Sequence, residues 1–123
     1  MVKKAAQIFG WILVLVGILG FIPGITNDQG LLLGLFQVDA LHNIVHLVTG
    51  AIGIWAAMSG GKSSKMFFQI FGVIYALIAI LGFMVADGDK ILGLVITNMA
   101  DNWLHVVIAV VALYLGFGAS AEE

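Results

Sequence analysis

The side chains able to do chemistry in this sequence are few, and they sit in two matching places. His42-Asn43-Ile44-Val45-His46 and Asp101-Asn102-Trp103-Leu104-His105 each open a long apolar block. Residues four apart on a helix share a face, so His42 falls above His46 and Asp101 above His105, flanked by Asn43 and Asn102. Three readings suit this polar cluster. In the first it is structural. Asp39 and Asn98 are N-cap residues, His42 and Asp101 follow three positions later, and His46 and His105 hydrogen-bond across a helix interface to Asn102 and Asn43. Such contacts join membrane helices at about 0.6 kcal/mol each. In the second reading His42, His46, Asp101 and His105 form a first shell for zinc or another divalent metal, or His46 and His105 hold haem iron from two sides. The third is a proton conduit or small transporter, since imidazole and carboxylate relay protons. No acidic residue lies in the inner half of any apolar block to extend such a path. The structural or partner-binding reading leads, with the metal or haem reading behind it.

Other chemistries lack their residues. The chain has no cysteine, hence no thiolate metal site and no disulfide framework. It shows no nucleophile with a base on a strained turn, no phosphate-cradling glycine loop and no paired carboxylates within a block, so an enzyme is not expected. A net charge of -2, with five dispersed lysines and no arginine, excludes a basic nucleic-acid surface.

The elements that must position the cluster follow from composition. Of 123 residues, 62% are hydrophobic and only 10% charged, with mean hydropathy +1.14. A soluble domain carries about 25% charged residues. Four apolar blocks, near residues 6–25, 41–59, 67–86 and 100–118, nearly use up the chain. Each approaches the roughly 20 residues that carry a helix across a bilayer. Runs such as Gly10-Trp11-Ile12-Leu13-Val14 show none of the period-two alternation of a membrane barrel. The expectation is an all-α four-transmembrane-helix bundle, a single integral membrane domain over residues 1–123, whose partner is the lipid bilayer. A homo-oligomer or a membrane-protein partner remains open.

The chain also repeats itself. Gln7-Ile8-Phe9-Gly10 and Ile18-Leu19-Gly20-Phe21 return as Gln69-Ile70-Phe71-Gly72 and Ile80-Leu81-Gly82-Phe83. Leu33-Gly34-Leu35, Asn43 and His46 return as Leu92-Gly93-Leu94, Asn102 and His105. Repeat one covers about residues 5–60 and repeat two about 66–119. Two tandem hairpins of this kind imply a pseudo-twofold axis along the membrane normal. Because the first block has a counterpart in the third, it is expected to be a permanent helix. Lys3, Lys4, Lys62 and Lys65 fall on one side and Lys90 on the other, which by the positive-inside rule makes both termini cytoplasmic in a multi-pass cell-membrane protein. Trp11, Trp55 and Tyr114 at the inner ends, and Trp103 at the outer, suit interfacial anchors. The apolar segments 30–38 and 90–97 are too short to span and are expected to lie over the outer mouth. Below the histidines, helical spacing leads to Gly50 and Gly53 in one half and Ala109 and Ala112 in the other. Small residues mark close helix packing, so helices two and four are expected to cross near the axis with their polar clusters facing.

At the segments Leu-Gly-Leu-Phe-Gln-Val-Asp-Ala-Leu-His42-Asn43-Ile-Val-His46-Leu and Asn98-Met-Ala-Asp101-Asn102-Trp103-Leu104-His105 the sequence resembles a bacterial four-helix membrane family, the domain of unknown function DUF4383. The resemblance covers nearly the whole chain. It implies four spans and small stand-alone proteins, and no activity. The chain departs from the pattern at Ile96-Thr97, where a more polar approach to the motif is expected.

Overall fold

The computed structural model describes residues 1–121. Four helices dominate: α1 (Val2–Leu19), α2 (Ala40–Ser59), α3 (Gly61–Met84) and α4 (Met99–Leu113), the last continuing as one π-helical turn over Tyr114–Gly118. Each is long and apolar enough to cross a membrane. Bulky apolar side chains such as Ile12, Val48, Ile70 and Val110 stand exposed around the bundle, which is the surface hydrocarbon chains would cover.

Helix ends follow local chemistry more than hydropathy. α1 starts and stops earlier than the expected 6–25, because the chain tightens after Leu19 and reaches Pro23, which lacks an amide proton. α3 starts six residues before the expected 67. Lys62 to Lys65 continue the helix, and Ser64 Oγ donates to the Gly60 carbonyl at 2.8 Å. Only Gly60 separates α2 from α3, and its φ of 130° is open to glycine alone.

The segments expected over the outer mouth are two short antiparallel β-hairpins. β1 (Leu31–Leu32) pairs with β2 (Phe36–Gln37), and β3 (Lys90–Ile91) pairs with β4 (Val95–Ile96). Both tips place a leucine and a glycine at positive φ: Leu33 at 55° and Gly34 at 72°, Leu92 at 54° and Gly93 at 72°. Two successive positive φ values mark the primed turn that suits a tight hairpin.

The two ends of the bundle differ in chemistry. Where the chain begins, Val2, Ala6, Ala56, Ala57, Phe67, Phe68 and Ala112 form a buried apolar cluster. Phe9 meets Phe67 and Phe68 edge-on, with centroids 5.8 and 5.5 Å apart. The opposite end holds the hairpins and the polar residues.

Close packing runs within each hairpin of helices. A Cβ on Gly10 of α1 would stand 2.6 Å from the Gly50 carbonyl oxygen, so these two backbones touch. Gly72 of α3 lies against Leu113 of α4 in the same way. Gly50, Gly53, Ala109 and Ala112 are buried as expected, but they do not form a seam between α2 and α4. Gly50 serves α1, Gly53 packs under Phe67 of α3, and Ala112 joins the apolar cluster. The backbones of α2 and α4 stay apart, and side chains bridge them. α2 also lies along α3, whereas α1 and α4, the pair a twofold axis would equate with them, are separated by a cleft.

Candidate functional site: a histidine cluster under two hairpins

Each polar helix begins with a cap that fixes its first turn. The Asp39 carboxylate accepts from His42 N at 2.9 Å. Asn98 and Asp101 form a full capping box: Asp101 N donates to Asn98 Oδ1 at 2.9 Å, and Asn98 N donates to Asp101 Oδ2 at 3.0 Å. Met99 N donates to Asp87 Oδ1 at 2.6 Å, satisfying another first-turn amide.

Three ties then cross between the halves. His42 Nδ1–H donates to the Ile96 carbonyl of β4 at 2.8 Å. Asp101 interacts with the main chain of Gln37 in β2. Asn98 Nδ2 donates to the Leu35 carbonyl in the tip of the first hairpin at 2.8 Å. Each hairpin is therefore held by the helix start of the opposite repeat. Sequence shows that these residues correspond, but not that they reach across.

The asparagines work within their own halves. Asn102 Nδ2 donates to the Gly82 carbonyl at 3.0 Å, and its Oδ1 accepts from Thr97 Oγ1 at 2.7 Å. Asn43 lies against Gly20 in the matching position, where a Cβ would overlap its amide. The residue equivalent to Thr97 is Val38, and Asn43 Oδ1 is buried without a partner. The expected bonds from His46 to Asn102 and from His105 to Asn43 are not made. The departure at Ile96-Thr97 acquires a use: Ile96 supplies a carbonyl to His42, and Thr97 supplies a hydroxyl to Asn102.

The three imidazoles converge. His42, His46 and His105 are all buried, and one ligand atom from each lies within 4.8 Å of the others. Ring centroids are 4.6 Å apart for His42–His46, 5.8 Å for His42–His105 and 6.4 Å for His46–His105. Asp101, expected as a fourth ligand, is not in this group; its carboxylate is committed to the cap. Nδ1 of His46 and Nδ1 of His105 are buried with no hydrogen-bond partner. Tyr75 of α3 lies beside His105, centroids 5.6 Å apart, and its buried hydroxyl likewise has no hydrogen-bond partner. Sequence reasoning missed Tyr75. Its signal was a polar aromatic in the middle of an otherwise apolar span.

His46 also faces the cleft between α1 and α4. This space, about 230 Å³, is lined by Phe9, Leu13 and Val16 of α1 and Leu104, Ile108 and Val111 of α4. A smaller space of about 80 Å³ under the first hairpin touches His46 and Asp101.

Chemically, the site offers three buried imidazoles whose ring nitrogens converge, one ring being oriented by a backbone carbonyl. That is the donor set and outer support of an imidazole-bound transition ion. Comparison with curated proteins and with solved structures returns no match. The family described as Domain of unknown function (DUF4383) matches residues 3–118, nearly the full length, and the chain belongs to that family.

Proposed function

We propose that this chain is a multi-pass cell-membrane protein, both termini cytoplasmic, that binds a transition-metal ion between α2 and α4 through His42, His46 and His105. Its role is binding, not catalysis. The observation that carries the reading is the pair of unpartnered nitrogens on His46 and His105 inside a converging three-histidine group. A buried polar atom without a partner costs roughly 1–3 kcal/mol. Two such atoms in one cluster call for a shared partner, and an ion is one partner that serves several rings at once.

Geometry supports a small ion. Zinc holds imidazole nitrogen at about 2.0–2.1 Å, which puts ligand nitrogens about 3.3–3.5 Å apart. Ligand atoms within 4.8 Å of one another reach that spacing by side-chain rotation. His42 already donates its other nitrogen to a carbonyl, the usual orienting bond of a metal-bound histidine. Haem fits less well. His42 lies 4.6 Å from His46 and 5.8 Å from His105, in the space a macrocycle between those two rings would need. A purely structural cluster accounts for the caps and for Asn102, but it leaves the two orphan nitrogens unexplained.

The test is elemental analysis of detergent-purified protein after dialysis against zinc and then against buffer. Wild type is expected to retain one ion per chain, His46→Ala and His105→Ala to lose it, and Asp101→Asn to keep it. No stoichiometric ion in the wild type, or equal retention in the two histidine variants, removes the proposal. A Soret band in protein as isolated would replace it with haem.

A further inference from the structure

The bundle is sealed on one flank and open on the other. α2 lies along α3, while α1 and α4 leave the cleft that ends at His46. The side chains facing it from α1 and α4 lie well within the candidate spans, so the opening faces the bilayer and not the aqueous phase. An occupant must arrive dissolved in lipid.

Three properties of the cleft define that occupant. Among the described residues no charged side chain lines it, so the occupant is neutral. Its volume of about 230 Å³ exceeds the ~150 Å³ of an apolar cavity known to admit benzene, which makes room for a single substituted ring. Among the described residues one polar side chain lines it, the imidazole of His46, which is only 4% exposed; its Nδ1 is the buried atom that the metal reading takes, which leaves Nε2 as the nitrogen for the cleft. A neutral imidazole carries one N–H, and this holds whether or not its other nitrogen binds an ion. A matching ligand therefore presents an acceptor oxygen on its ring.

We infer that the α1–α4 cleft receives a membrane-soluble ring carbonyl of the quinone class, entering sideways from the bilayer and accepting a hydrogen bond from His46. The ring lies among Phe9, Leu13 and Ile108, and any tail trails back into lipid. The inference does not depend on the metal reading, because the apolar walls and the imidazole donor are present either way.

Immobilised protein in detergent, stripped of metal with a chelator, is equilibrated with decyl-substituted benzoquinone, and retained quinone is measured by absorbance. Saturable retention of one per chain is expected. Ile108→Phe, which fills the cleft, is expected to abolish it, and His46→Leu to weaken it about tenfold, the worth of one buried hydrogen bond. Leu13→Phe fills the cleft from α1 and replaces Ile108→Phe if that variant loses its helical circular dichroism. Retention that rises linearly with free quinone, or that is unchanged in a folded cleft-filling variant, overturns the inference. So does equal competition by dodecane, which would mark a hydrocarbon slot with no role for His46. Zinc retention in Ile108→Phe separates the two readings, since filling the cleft leaves all three histidines in place.

Discussion

The repeat contains its own control experiment at Thr97 and Val38. Both precede their asparagine by five residues, and valine and threonine have nearly the same shape. In the second half, Thr97 Oγ1 donates to Asn102 Oδ1 at 2.7 Å in a buried site. In the first half, valine leaves Asn43 Oδ1 without a partner. Thr97→Val copies the first half into the second and strands Asn102 Oδ1. A stranded buried acceptor costs roughly 1–3 kcal/mol, while membrane side-chain bonds average about 0.6 kcal/mol, so the expected loss is about 1 kcal/mol. Val38→Thr does the reverse. It supplies a donor five residues before Asn43, and the expected gain is about 0.5–1 kcal/mol, less any cost of burying the hydroxyl. The assay is reversible unfolding in mixed micelles with increasing sodium dodecyl sulfate, read by circular dichroism. The double variant should fall close to wild type. If Thr97→Val is neutral, the observed bond contributes nothing. If Val38→Thr destabilises by 1 kcal/mol or more, the two halves do not present equivalent sites, and the reasoning from the repeat fails at this depth.

Two further outcomes are expected. Gly10→Ala pushes a methyl to 2.6 Å from the Gly50 carbonyl, so α1 and α2 must separate; the expected cost in the same assay is about 1–3 kcal/mol, and a neutral result would show that the helix pair is not closely packed. Leu92 holds φ at 54° with its side chain 77% exposed, and Leu92→Asn, which tolerates that backbone, should raise stability by about 0.5–1 kcal/mol. A loss of that size would instead show the hairpin tip held in apolar surroundings.

The four helices, the duplication and the identity of the polar residues were all legible in the sequence. Block length, hydropathy and repeated motifs are properties of neighbours along the chain, and the bilayer demand for internally satisfied amides leaves little choice but helix. The capping roles of Asp39, Asn98 and Asp101 were legible for the same reason, since a cap spans only three residues. The hairpins were less so. Leu-Gly-Leu places leucine at positive φ, where sequence preference expects glycine or asparagine, so segments 30–38 and 90–97 read as apolar pieces of no definite form.

What only the tertiary structure decided is who meets whom. Gly50 and Gly53, below His46, could have joined α2 to α4; they join α2 to α1 and α3, because Gly10 and Gly50 allow their backbones to touch. That choice keeps α2 and α4 apart and leaves His42, His46 and His105 to fill the space between them. It also opens the cleft beside α1. Helical spacing fixes the face on which a side chain stands. The partner across from that face depends on how closely four separate surfaces can pack at once, and no single stretch of sequence contains that comparison.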